Sequence, residues 1–127
     1  MQMSMKKIVI LLIAAMFTSP LSMASGLQSD AEREILHLFD YLRTADCEFN
    51  RNGTWYGPDE AVAHLERKYR YLKDRGLIQT AEQFIERAAS QSNMTGRPYR
   101  VRCGDAEPVS SNEWFGEELK RFRKLNH

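Results

Sequence analysis

The sequence predicts an α+β fold: about four helices around a small antiparallel sheet, built on a β-hairpin and pinned by one disulfide. Three observations carry that prediction. Residues 47–56 read as two short strands about Asn52-Gly53, a pair that accepts positive φ at both centres of a type I′ turn. On both sides lie segments with apolar residues at helical spacing, most of them opened by a capping residue. Two cysteines, Cys47 and Cys103, fall at the start of the hairpin and at the end of a second alternating stretch.

The chain opens on Lys6 and Lys7 without an acid, an uninterrupted apolar run over residues 8–17, and the small residues of Ser22-Met23-Ala24. This is the pattern of a secretory signal peptide over residues 1–24, cleaved after Ala24. The apolar run is about half of the roughly 20 residues that a spanning helix requires, so no stable membrane span is expected after cleavage. Residues 25–127 then form one small α+β domain, too short for a large core and helped by a staple. The full chain carries 18 Lys+Arg and 17 Asp+Glu, formally +1; losing residues 1–24 removes two lysines and no acid, which brings it to −1. So balanced a charge argues against a nucleic-acid partner, which calls for a basic excess or stripe.

Export and an even cysteine count predict a disulfide between Cys47 and Cys103. A zinc site joining both thiolates to His37 and His64 is the alternative, and it lacks any CxxC or HxxxH spacing.

Each element has a local reason. Ser29 with Glu32 caps a first helix, whose Ile35, Leu38, Phe39 and Leu42 make one apolar face and which ends near Thr44 or Ala45. His37 lies off that stripe and is expected in solvent. In the hairpin, Asn52-Gly53 sets Arg51 opposite Thr54, Asn50 opposite Trp55 and Phe49 opposite Tyr56. Alternation then puts Phe49, Arg51, Thr54 and Tyr56 on one face and Glu48, Asn50 and Trp55 on the other. Pro58, Asp59 and Glu60 open a second helix, with Ala61, Leu65, Tyr69 and Leu72 inward and Gly76 as terminator. Its cations Arg67, Lys68, Arg70, Lys73 and Arg75 read as a solvated face near the helix C-terminus. Thr80 with Gln83 caps a third helix through Ala81, Phe84, Ile85, Ala88 and Ala89. After a polar loop, residues 99–103 alternate as a strand with Tyr99, Val101 and Cys103 on one face, suggesting three strands in all. Ser110 with Glu113 caps a last helix that turns Trp114 or Phe115, Leu119 and Phe122 inward.

The set of Phe49, Arg51-Asn52-Gly53, Ala61, His64-Leu65, Lys68, Ile78, Thr80-Ala81-Glu82, Phe84-Ile85, Ala89-Ser90, Ser92, Gly96 and Pro98-Tyr99 resembles the YfeK-like family of small exported bacterial proteins. The likeness spans nearly all of residues 25–127, and Trp114 and Arg123 look like members that carry paired cysteines. It implies a periplasmic or secreted single-domain protein of Gram-negative bacteria, from a domain family of unknown function. The family brings no established activity, so no catalytic residue carries over. In such a protein Asn52-Gly53-Thr54 and Asn93-Met94-Thr95 are turn chemistry rather than glycan acceptors.

Chemistry concentrates on the second helix, where Glu60, His64 and Lys68 fall at i, i+4 and i+8 on one stripe within reach of Arg51. Read structurally, this is an intrahelical polar ladder. Read functionally, His64 is a ligand or general base oriented by Glu60, Lys68 and Arg51 hold an anion, and His64 titrates away from about 6.5. Trp55, on the opposite hairpin face, is either covered or an exposed binding group. The candidate ligand-binding residues are therefore Arg51, Trp55, His64 and Lys68. Ser90 and Ser92 lack the glycines of a nucleophile elbow. No catalytic residue, metal site or cofactor is assigned. The leading expectation is a non-enzymatic module that binds an envelope saccharide or protein. The alternatives are a small envelope hydrolase or transferase using His64, and an inhibitor whose hairpin plugs another protein's cleft.

Overall fold

A computed structural model describes residues 28–126, so the expected signal peptide over residues 1–24 lies outside the described residues. The elements run α1 (Asp30–Thr44), β1 (Cys47–Arg51), β2 (Thr54–Tyr56), α2 (Pro58–Asp74), α3 (Ala81–Arg87), β3 (Arg100–Cys103), β4 (Val109–Ser110) and α4 (Ser111–Leu125). The α+β class is as the sequence predicts, with four helices, an antiparallel sheet and the Cys47–Cys103 disulfide. The sheet has four strands in the order β2-β1-β3-β4 rather than three. The added strand, Val109–Ser110, is two residues of backbone pairing with Arg100 and Val101, too short to leave a periodic signature.

Local chemistry sets the boundaries. Ser29, Thr80 and Ser110 each accept a hydrogen bond from the backbone N–H three residues on, satisfying donors that the first helical turn leaves free. At the end of α2, Gly76 takes φ 70° and its N–H bonds the Lys73 carbonyl, while Leu77 N–H bonds that of Leu72. This is a Schellman termination, and it requires a residue at ease in the left-handed region. Asn52 at φ 51° and Gly53 at φ 87° make the tight turn that the pair predicts, with Phe49↔Tyr56, Asn50↔Trp55 and Arg51↔Thr54 in register. β3 lies on the other side of β1, pairing Cys47 with Cys103 and Phe49 with Val101.

The inner sheet face brings Phe49, Tyr99 and Val101 against the helices, all about 1% exposed. Burying a side chain such as Phe49 is worth about 1.5–3 kcal/mol. Phe84 joins the layers, its ring 5.1 Å from that of Phe39 and 6.3 Å from that of Phe115. The disulfide crosses the two central strands, closing a sequence separation of 56 residues. Among the described residues, no helix is long and apolar enough to cross a membrane.

α1 and α4 meet through charge. His37, expected in solvent, instead bonds Glu118 Oε2 at 2.6 Å and stacks on Phe122 at 4.0 Å. Glu118 is only 4% exposed, and it is also held bidentately by Arg121, at 2.6 Å to each oxygen. Burial alone would raise its carboxyl, but the hydrogen bonds and charges of Arg121 and His37 outweigh that and hold its pKa below the ordinary value. Arg123 bonds Glu34 and Glu82 together. Three cations of α4, Lys120, Arg121 and Arg123, thus have acidic partners.

Candidate functional site

The hairpin and α2 enclose a pocket of about 260 Å³. β1 supplies Phe49 and Arg51, β2 supplies Tyr56, and α2 supplies Glu60, Ala61, Ala63, His64 and Arg67. These positions share a surface for two reasons. On the strands, Phe49, Arg51 and Tyr56 are on the inner face by register. On the helix, residues 60, 64 and 67 stand one above the other at i, i+4 and i+7.

His64 is held at both ring nitrogens. Arg51 Nη1 lies 3.1 Å from Nδ1, and a guanidinium only donates, so Nδ1 accepts. The ring is therefore neutral with its hydrogen on Nε2, which donates to Tyr99 Oη at 3.2 Å. Lys68 Nζ donates to the same phenol oxygen at 3.2 Å and to the Gln91 carbonyl at 2.6 Å. It also sits 4.9 Å from the centre of the Tyr99 ring, a cation–π distance. Tyr99, buried from β3's leading edge, thus accepts two hydrogen bonds and keeps its own hydrogen to donate.

The site is cationic and unmatched. No carboxylate pairs with Arg51, Arg67 or Lys68 among the described residues, nor with Arg70, Arg75, Arg87, Arg97, Arg100 or Lys124, whereas Arg33, Arg43, Lys73, Arg102, Lys120, Arg121 and Arg123 all have acidic partners; what sets the first three apart is that they gather around one imidazole. Burial first, then the charges of Arg51, Lys68 and Arg67, push the His64 pKa down to about 4. Burial and the Arg51 charge push Lys68 down to about 8. Burial raises the Tyr99 phenol, against the opposing pull of Arg51. In chemical terms, donors and positive charge converge where an anion can lie, over an apolar floor.

Of the four candidate residues, the structure brings together Arg51, His64 and Lys68. Trp55 is elsewhere. It is half-buried on the outer sheet face under the Arg102 guanidinium, 4.0 Å from its ring centre, with Arg102 bonded in turn to Glu48. The hairpin alternation that separates Trp55 from Phe49 separates it from Arg51 as well. Glu60 lines the pocket but makes no hydrogen bond to His64, whose orientation comes from Arg51 and Tyr99 instead. The reason is geometric: Arg51 reaches across from β1 to Nδ1, and Tyr99 takes Nε2, leaving neither nitrogen for a residue one turn back. Ser90 Oγ donates to the Ile85 carbonyl, and Ser92 Oγ accepts from Asn52 Nδ2 and Thr95 N–H, so both serines are turn chemistry.

Tyr99 and Arg67 were not among the candidates. Tyr99 reads as core from its strand position, and its ring is core. The signal for its role is that a buried tyrosine hydroxyl needs a polar partner, and His64 with Lys68 at i, i+4 supplies two. Arg67 sits in a run of cations that nothing in sequence divides into outward and inward members.

Fold and pocket together define a small disulfide-pinned α+β protein with a recess between hairpin and helix lined by Arg51, His64 and Arg67. The chain belongs to a family of unknown function, DUF5329, whose profile matches residues 29–123. It is 38% identical over 96 residues to the uncharacterized protein YfeK of Salmonella typhimurium strain LT2, covering 75% of this chain and 77% of that protein. No solved structure matches significantly.

Proposed function

We propose that this is an exported, periplasmic or secreted, binding module of the cell envelope, which holds an anionic group of a saccharide or protein at Arg51, His64 and Lys68 without catalysing a reaction. The observation that carries the reading is the convergence of Arg51 and Lys68 on a neutral imidazole and a phenol, with no carboxylate hydrogen-bonded to any of the four. Mutual repulsion makes such an arrangement costly in the free protein, and an anion relieves it. Export rests on Lys6, Lys7 and the apolar run, and a disulfide is in keeping with an oxidising compartment.

Binding is favoured over a reaction because both nitrogens of His64 are engaged and the hydroxyls of Ser90 and Ser92 bond other partners. The hairpin tip is tied back through Asn52 to Ser92 and Thr95 rather than projecting, which favours a receiving pocket over a plug. The test is an NMR titration of the oxidised protein with a defined uronate oligosaccharide and with fractionated envelope extract. Shifts clustered at Arg51, His64, Lys68 and Tyr99 are expected. Shifts confined to other surfaces, or none, sink the reading.

A further inference from the structure

We infer that the pocket's ligand presents a single carboxylate on a small apolar body, seated between Arg51 and His64, and that its binding draws one proton onto His64. This rests on the anion-site reading and specifies its ligand. The head-group argument starts from Arg51. Its Nη1 bonds a neutral imidazole nitrogen, a weak partner for a guanidinium whose fork matches a carboxylate. A carboxylate entering the pocket outcompetes Nδ1 for that fork. Nδ1 is then free to take a proton from solvent, and the new Nδ1–H donates to the ligand's second oxygen while Nε2–H stays on Tyr99. No covalent bond to the ligand forms or breaks.

The groups facing His64 agree with that coupling. Arg51 from β1 and Arg67 and Lys68 from α2 are the cations that oppose its protonation. Tyr99 holds Nε2, Tyr56 from β2 and Glu60 from α2 line the pocket, and a bound carboxylate offsets the cations at the ring itself. Glu60 also sets the charge. With Arg51 and Arg67 the other charged residues of the lining and His64 neutral, it leaves a net charge of about +1, which a monoanion balances and a phosphate monoester, largely dianionic above its second pKa of about 6, exceeds. The body follows from Phe49, Tyr56, Ala61 and Ala63, apolar walls around about 260 Å³, which is small beside the roughly 300 Å³ at the low end of drug-sized sites.

The probes are benzoate and phenyl phosphate, titrated calorimetrically into the oxidised protein. At about pH 7.5, where phenyl phosphate is mainly dianionic, benzoate is expected to bind at least tenfold more tightly. At about pH 5.5, above the free His64 value of about 4, benzoate measured in two buffers of different ionisation enthalpy should take up more than half a proton. His64→Gln should abolish the uptake, and Arg51→Gln should abolish binding, with both variants melting as cooperatively as the parent. Phenyl phosphate binding as tightly as benzoate overturns the monocarboxylate. Binding without proton uptake, or uptake unchanged in His64→Gln, overturns the coupling and leaves the anion site standing. No binding of either probe overturns the inference, while the reading beneath it falls only if the uronate oligosaccharide and envelope extract also leave the site unshifted.

Discussion

His37 and His64 sit on neighbouring helices and keep opposite company. His37 meets a carboxylate, Glu118, which Arg121 also holds, and its ring lies on Phe122. His64 meets an arginine and a phenol, with a lysine beyond. At the first site every buried charge has its opposite, which is what folding alone favours, since an unpaired buried charge is expensive. At the second, positive charge is gathered and left unmatched. A cluster that works against stability is where a ligand is best sought. Both histidines read as polar residues on amphipathic helices, so only the company separates them.

Substitutions break the comparison most clearly when taken in order of effect. Replacing Cys47 and Cys103 together by serine releases a separation of 56 residues and should cost about 4 kcal/mol by the chain-entropy estimate. A domain of this size would then melt lower by roughly 20 °C, read by thermal denaturation. Because the bridge spans β1 and β3, which carry Arg51 and lead from Tyr99, the loss should loosen the cationic site before the α1–α4 contact. Hydrogen exchange in the reduced protein reads that order.

Glu118→Ala comes next, with an expected loss of about 2 kcal/mol, since it removes charged hydrogen bonds from an oxygen pair at 4% exposure while Arg121 returns largely to solvent. Arg51→Gln is the counterpart, and urea unfolding should find it neutral or slightly stabilising because it relieves repulsion. If both substitutions cost the same, the contrast between the sites fails.

Acid separates them again. The His64 pKa is lowered on folding, so between about 6.5 and about 4 the unfolded chain binds more protons and stability falls as pH falls. Glu118 is also held low, so its contribution is present above the ordinary carboxylate pKa and is lost as pH drops through the folded value. Melting curves of His64→Gln should lack the first part of this acid limb and keep the second. Lys68, lowered to about 8, adds stability as pH rises from there toward its ordinary 10.5.

For anion binding the smallest effect is expected at Trp55. Trp55→Ala should cost about 0.5–1 kcal/mol through the lost Arg102 stacking and leave anion binding unchanged, because its side chain is on the far face of the sheet. A tenfold loss of benzoate affinity in this variant would place the site wrongly.

Much of this architecture is legible in the chain because its signals are local. Asn52-Gly53 fixes the hairpin register and hence the inner face of Arg51, and Ser29, Thr80, Ser110 and Gly76 mark helix ends within one turn of themselves. Spacing on α2 puts His64 and Lys68 side by side. What is not legible depends on residues far apart in sequence. Glu118 reaches His37 across 81 residues and Tyr99 reaches His64 across 35, and no periodicity encodes either contact. Glu60 shows the converse: correct spacing makes it a neighbour of His64, and competition from β1 keeps it from being a partner.

The measurement that bears most directly on the account is an NMR titration of the two histidine rings in the oxidised protein, with and without benzoate. His64 should titrate near 4 with its hydrogen on Nε2 in the free protein and shift upward by about 1.5 units or more with benzoate, while the His37 resonances do not respond to the ligand. A His64 that titrates near 6.5 and ignores benzoate would contradict the claim that its unmatched cations form an anion site.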